Sequence, residues 1–224
     1  MLTIDVVSDV ICPWCFIGKR RLEKALGDRA ASVRWHPFQL NPDMPREGID
    51  RKSYRIRKFG SWERSQELDA RVAAAGRGEG IAFRFDRMAR TPNTLDAHRT
   101  IWLAGERGVQ DAVVEALFLA YFNDGRDLSN RATLAEIAAA AGLDRAEVDG
   151  MLAGDAGLDV VRAGEEHARR LGVSGVPFFV VNGRVALPGA QPPELLLRAF
   201  EQAGDPVRVG DACEVDPPTG EREC

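Results

Sequence analysis

Cys12-Pro13-Trp14-Cys15 stands between an apolar run and a helical pattern, and that placement constrains the fold more than any other segment. Leu2–Val7 (LTIDVV) carries β-branched residues at alternate and neighbouring positions and reads as a short strand. Pro13 suits the first position of a helix, where its missing N–H costs nothing, so Cys12 is the predicted N-cap. A thiol at that position meets unpaired backbone N–H groups and the positive end of the helix dipole, which favour thiolate over thiol. Thiols in such settings have pKa values lowered to about 3.5–7.5, and the thiolate is the form that attacks disulfides. Cys15 follows one turn later, within disulfide reach and on the helix side of Leu22 and Leu26. Cys12 is therefore the candidate attacking sulfur of a redox-active C-x-x-C pair, and Cys15 the sheltered resolving one.

Two other uses of the pair are less consistent with the chain. A structural zinc site needs a second ligand pair of matching spacing. The other cysteines, Cys213 and Cys224, have ten residues between them, and the three histidines are scattered, so no metal is expected. A static disulfide between adjacent-turn cysteines suits an exported protein, and the sequence gives no sign of export. The N-terminus lacks a basic region, an apolar stretch and a small-residue cleavage site, so the cytoplasm is the expected compartment.

Composition narrows the partners. The 224 residues, 45% hydrophobic, can bury a sizeable core as one large domain or two small ones. A net charge of −4 gives no basic footprint for nucleic acid, and no apolar run is long enough for a membrane span. Arginines alternate with acidic residues on the predicted helices, the pattern of a solvated face.

Ser32–Phe38 reads as a second strand, and strand–helix–strand with short links predicts a parallel βαβ unit. A proline-spaced extended stretch, Gln39–Pro45, leads into a block rich in helix formers. Helices are expected at Arg51–Phe59, Trp62–Ala75, Thr94–Glu106, Val109–Phe122, Ala132–Ala141 and Arg145–Leu152, while Ile81–Phe85 is ambiguous. A long helix over Asp155–Leu171 follows. Gly175–Ala186 reads as a hairpin with a two-residue Asn182-Gly183 link, and a last helix runs over Pro193–Ala203. The order predicts an α/β, thioredoxin-like fold (βαβ…ββα) with a large all-helical insertion. Residues 1–45 and 155–205 form the discontinuous thioredoxin-like domain in this reading, 46–154 the helical insertion, and 206–224 a cysteine-containing tail.

Val176-Pro177 is the second half of the expected site. Proline donates no ladder hydrogen bond, so its place at the start of a strand is unusual. A cis peptide there would turn the chain so that residue 176 presents free backbone N–H and C=O groups to an extended substrate. The segments SDVICPWCFIGKRRLE (Ser8–Glu23), WHPFQLNPDMP (Trp35–Pro45), NTLDAHRTIWLA (Asn93–Ala104), LFLAYFNDGRDLSN (Leu117–Asn130) and LGVSGVPFFVVNGRVALPGAQ (Leu171–Gln191) together carry a resemblance. The chain is similar to the DsbA family of thioredoxin-like proteins, specifically its cytoplasmic FrnE-like branch. The resemblance covers everything except the tail after about Asp205. It implies thiol–disulfide exchange or disulfide isomerisation by Cys12 and Cys15, with a cis-proline loop at Val176 and Pro177. Pro13, Trp14, Val176 and Pro177 are the candidate substrate-binding residues, and the substrate is a disulfide-containing protein or a small thiol.

Two alternatives remain at this level. Glutathione-dependent kappa-type transferases and 2-hydroxychromene-2-carboxylate isomerases share the insertion architecture but use Ser in place of the first cysteine. Cys12 with Cys15 behind it would oxidise bound glutathione, which fits a co-substrate better than an activated cofactor. Ala190-Gln191 occupies the stretch where glutathione-binding relatives tend to carry Ser and Asp, although Gln191 could hold a carboxylate. The other alternative is a chaperone-like module that holds peptides without turnover. Trp14 adds no positive charge beside the thiols, so an intermediate redox potential is expected, between about −270 and −120 mV. His36, His98, His167, Phe178, Phe179 and Trp102 are read as structural. Cys213 and Cys224 are an auxiliary-dithiol candidate or two tail thiols without a role.

Overall fold

Strand β1 (Leu2–Ser8), helix α1 (Pro13–Leu26) and strand β2 (Ala31–Pro37) open the computed structural model, which describes residues 1–204. Ile4 and Val6 of β1 are fully buried, and the strand runs parallel to β2 from Leu2 opposite Ala31 to Ser8 opposite Pro37. Gly27 ends α1 at a φ of 50°, a conformation that L side chains rarely adopt.

The helical block follows the capping chemistry of its sequence. It holds β3 (Ile49–Asp50), α2 (Arg51–Phe59), α3 (Trp62–Gly78), β4 (Arg90–Thr91), α4 (Leu95–Glu106), α5 (Gln110–Phe122), α6 (Arg131–Ala140) and α7 (Arg145–Ala153). The Asp50, Ser61, Asn130 and Asp144 side chains accept backbone N–H groups at the starts of α2, α3, α6 and α7. Residues 81–84 are irregular, and β3 pairs antiparallel with β4 in a two-residue ladder that the sequence did not announce.

Helix α8 (Leu158–Arg170), the hairpin β5 (Phe178–Val181) and β6 (Val185–Pro188), and α9 (Pro193–Gly204) complete the described chain. The main sheet has the order β2-β1-β5-β6, with β5 antiparallel to both of its neighbours. Two expectations need correction here. Helix α8 begins three residues later than predicted because Gly157 takes a left-handed φ of 79°, where an added Cβ would lie 2.4 Å from the Trp102 ring. The hairpin link has three residues rather than two, since Val181 pairs with Val185 and Arg184 stays outside the ladder. Asn182 and Gly183 both have positive φ, as a tight turn requires.

The helical block is fastened to the sheet around α1 and β2. Phe16 stacks on Phe118 at 5.1 Å between ring centres, with Phe83 and Phe122 beside it. Lys19 is buried among Glu23, Asp111 and Glu115, which joins α1 to α5. Burial alone would pull the Lys19 ammonium below its usual range, but Asp111 and Glu23 reverse that and hold it above. Gln110 accepts the Trp35 N–H at 2.9 Å and donates to the Trp35 carbonyl at 3.1 Å, closing a side-chain extension of β2.

Candidate active site

Cys12 is the N-cap of α1, with φ −89° and ψ 110°, and Pro13 occupies the first turn as the sequence predicts. The entry turn is tight: the Cys12 N–H donates to the Asp9 carbonyl at 3.0 Å, and the Cys12 carbonyl accepts the Cys15 N–H at 3.0 Å. Asp9 also braces the turn from outside. Its carboxylate accepts the Leu40 N–H at 2.8 Å and the Ile11 N–H at 3.4 Å, tying the C-x-x-C entry to the segment after β2.

The structure brings Cys12 to the Val176-Pro177 loop. The Cys12 Sγ donates to the Val176 carbonyl oxygen at 3.6 Å, and the Val176–Pro177 peptide is cis. The Val176 carbonyl thus meets the Cys12 thiol at the end of the loop. Pro177 is fixed in turn, because its carbonyl accepts the Gly189 N–H at 2.7 Å. From the other side, α1 brings Gly18 so close that an added Cβ would lie 3.0 Å from Pro177 Cγ and 3.1 Å from Phe179 Cζ.

Both cysteines are free thiols, and their surroundings differ. Burial pushes the Cys15 thiol well above its usual range, and Cys12 beside it adds to the rise, against smaller opposing contributions from Ser8 and Asp9. Cys12 is also largely buried, yet it lines an open cavity of about 450 Å³ together with Pro13 and with Trp14, which is 42% exposed. The opposite wall comes from α2 and α3, including Arg51, Tyr54, Arg55 and Asp69. That wall was invisible in the sequence, where its arginines looked like an ordinary solvated helix face.

A buried polar group behind the turn was also missed. Asp9 is fully buried, and His98 Nε2 lies 3.5 Å from its Oδ1 with no hydrogen-bond partner, so His98 is packed into the interior with that nitrogen unbonded. Glu165, on α8, accepts the Gln39 N–H at 2.6 Å. Burial pushes the Glu165 carboxyl up, and His98, the Gln39 N–H and Arg169 only partly oppose it. Capping-type spacing links Asp9 to Ile11, but nothing in the sequence links residues 9, 98 and 165.

The remaining candidates lie apart from the thiols. His36 Nε2 contacts Asp5 Oδ1 at 2.7 Å on the β1–β2 surface, and His167 is exposed on α8. The Gln191 amide, considered for a carboxylate, donates instead to the Pro188 carbonyl at 2.5 Å. Among the described residues no cluster of three or more His, Cys, Asp or Glu side chains is placed to hold a metal ion. No described helix is long and apolar enough to cross a membrane. Cys213 and Cys224 lie outside the described residues.

The model of the DSBA-like thioredoxin domain matches residues 3–201. A probable DsbA oxidoreductase from Streptomyces coelicolor is 35% identical and superposes with a TM-score of 0.85, each chain covering 100% of the other. At lower identity the fold alone is shared. The cytosolic disulfide reductase DsbM from Pseudomonas aeruginosa with GSH is 21% identical, with a TM-score of 0.64 over 90% of this chain and 98% of that one. A 2-hydroxychromene-2-carboxylate isomerase is 16% identical, with a TM-score of 0.70 over 89% of this chain and 95% of that one.

Proposed function

The chain belongs to the DSBA-like thioredoxin domain family, and from that premise we propose that it is a thiol–disulfide oxidoreductase or disulfide isomerase working through Cys12 and Cys15. One observation carries this reading: the N-cap thiol of α1 touches the Val176 carbonyl while a second, fully buried thiol waits one helical turn behind it. In the reducing direction, the Cys12 thiolate attacks one sulfur of a substrate disulfide. A Cys12–substrate bond forms, the substrate S–S bond breaks, and one thiolate leaves. Cys15 then gives up its proton and attacks the Cys12 sulfur, which forms the Cys12–Cys15 disulfide and releases the second thiolate. The two cysteines lose two electrons, and the two protons they release go to the departing thiolates.

Each surrounding residue has a part in this scheme. Pro13 and Trp14 face the incoming substrate at the cavity mouth, and the Val176 carbonyl is released to the substrate once Cys12 has given up its proton to become the thiolate. The raised Cys15 pKa keeps that sulfur protonated while Cys12 reacts, which separates the order of the two steps. Glutathione is proposed as the co-substrate that returns the pair to the dithiol in a reducing compartment such as the cytoplasm. The second reading is an isomerase of the 2-hydroxychromene-2-carboxylate type, a protein of which shares the fold.

The test uses the resolving cysteine. Cys15→Ser incubated with a disulfide substrate should accumulate a mixed disulfide on Cys12, seen as an intact adduct by mass spectrometry, whereas Cys12→Ser should form none. Adduct on neither variant would contradict the assignment.

A further inference from the structure

We infer that the cavity beside Cys12 selects a small anionic disulfide, one carrying carboxylates near the scissile bond; the inference rests on the exchange chemistry proposed above. The cavity, about 450 Å³, falls within the roughly 300–1,000 Å³ typical of small-molecule pockets. Its reactive wall is Cys12, Pro13 and Trp14. Across from them, Arg51, Arg55, Lys58 and Arg71 meet a single carboxylate, Asp69, a formal excess of three positive charges in a chain of net charge −4.

These cations are only partly neutralised. Asp69 is shared, with one oxygen accepting from Arg51 at 2.6 Å and the other from Arg55. Burial, with Arg51 adjacent, pulls the Arg55 guanidinium below its usual value despite that shared carboxylate. At the mouth, Lys58 donates to the Tyr54 hydroxyl at 2.8 Å, and neither Lys58 nor Arg71 has a carboxylate partner among the described residues. Tyr54, Phe59, Phe85, Tyr121 and Phe122 line the rest, giving apolar surface for the body of a ligand whose charge the cations hold. A cleft of one sign with low-dielectric walls focuses its field and raises association rates of an opposite charge by about 10–1,000-fold. The balance of the reaction is that given above: two thiolates leave an anionic R–S–S–R, the protein dithiol becomes a disulfide, and a low-molecular-weight thiol later supplies the two electrons that restore it.

The experiment is single-turnover stopped flow with the reduced full-length protein and three disulfides. They are 5,5′-dithiobis(2-nitrobenzoate), which is anionic, 2-hydroxyethyl disulfide, which is neutral, and cystamine, which is cationic. Each rate is divided by the rate of the same disulfide with free dithiothreitol, so that intrinsic reactivity cancels. The normalised anionic-to-neutral ratio should be about tenfold or more, with cystamine slowest, and should shrink in high salt. Lys58→Glu with Arg71→Glu should collapse that ratio, while Arg170→Glu, the same charge change on distant α8, should leave it in place. Exchange with equal normalised rates, or a ratio that survives Lys58→Glu with Arg71→Glu, would overturn the selectivity and leave the exchange reading standing. Failure to reduce all three disulfides would overturn both.

Discussion

The Cys12 sulfur lies 3.6 Å from the Val176 carbonyl oxygen, a contact between residues 164 positions apart in the chain. It exists because β1 is the common neighbour of both segments. Its C-terminal end releases the chain into the Cys12 turn, and its antiparallel pairing with β5 brings Val176-Pro177 alongside. The sheet thus sets the distance between the proposed nucleophile and the loop proposed to receive its substrate.

The two thiols should react in a fixed order. Burial holds the Cys15 thiol above its ordinary range, whereas Cys12 opens on the cavity. With limiting iodoacetamide at pH 7, peptide-resolved mass spectrometry should find the label on Cys12 well before Cys15. Equal labelling of the two would contradict the sheltered role of Cys15.

Gly18 should tolerate no side chain. A Cβ there would sit 3.0 Å from Pro177 Cγ, so Gly18→Val must push either α1 or the Pro177 loop outward. Overpacking of this kind costs about 1–3 kcal/mol. For a chain of this size that is a Tm lowered by roughly 2–4 °C per kcal/mol. The displaced loop should also slow disulfide exchange, and a lowered Tm with unchanged exchange would uncouple loop position from chemistry.

Glu165 should make the fold less stable as pH rises. Its folded pKa is raised above the ordinary 4.5, so over the range above that value the folded state binds more protons than the unfolded chain. Stability from this group is intact below the ordinary carboxylate range and is lost as pH climbs through the raised value. His98 and Arg169 face it with positive charge or the capacity for it, and Asp9 with negative charge. Glu165→Gln keeps an acceptor for the Gln39 N–H and removes the titration. Urea melts should show the variant gaining on the parent between pH 4 and pH 8, and a constant difference would contradict this.

Asn182 should be costly to replace. Its Oδ1 accepts the Thr3 N–H at 2.8 Å and the Thr3 hydroxyl at 3.1 Å, and its Nδ2 donates to the Ala203 carbonyl at 3.0 Å. One side chain thereby joins β1, the hairpin link and α9. Asn182→Ala should lose about 2–3 kcal/mol, at about 1 kcal/mol per net hydrogen bond. Asn182→Asp, which keeps the acceptors, should lose less in the same denaturation series.

What the sequence disclosed was local. Pro13 behind Cys12 marked the start of α1. The short β1–α1–β2 links set the parallel pairing through the crossover rule. What it hid was set by backbone conformation at single residues or by distant packing. Arg184 left the hairpin ladder, and Gly157 delayed α8, for reasons of backbone conformation at single residues. The two-residue pairing of Ile49–Asp50 with Arg90–Thr91 is too short to leave a periodic signal. Arg51, Arg55 and Lys58 share a cavity with Cys12 and Trp14, and Asp9 meets His98, only through tertiary packing.

Redox titration of the Cys12–Cys15 couple in glutathione buffers, with thiol trapping read peptide by peptide, tests the central claim most directly. The account predicts a reversible two-electron transition between dithiol and Cys12–Cys15 disulfide, with a midpoint between about −270 and −120 mV. Glutathione that binds while Cys12 and Cys15 remain thiols at every ratio of the buffer would contradict it.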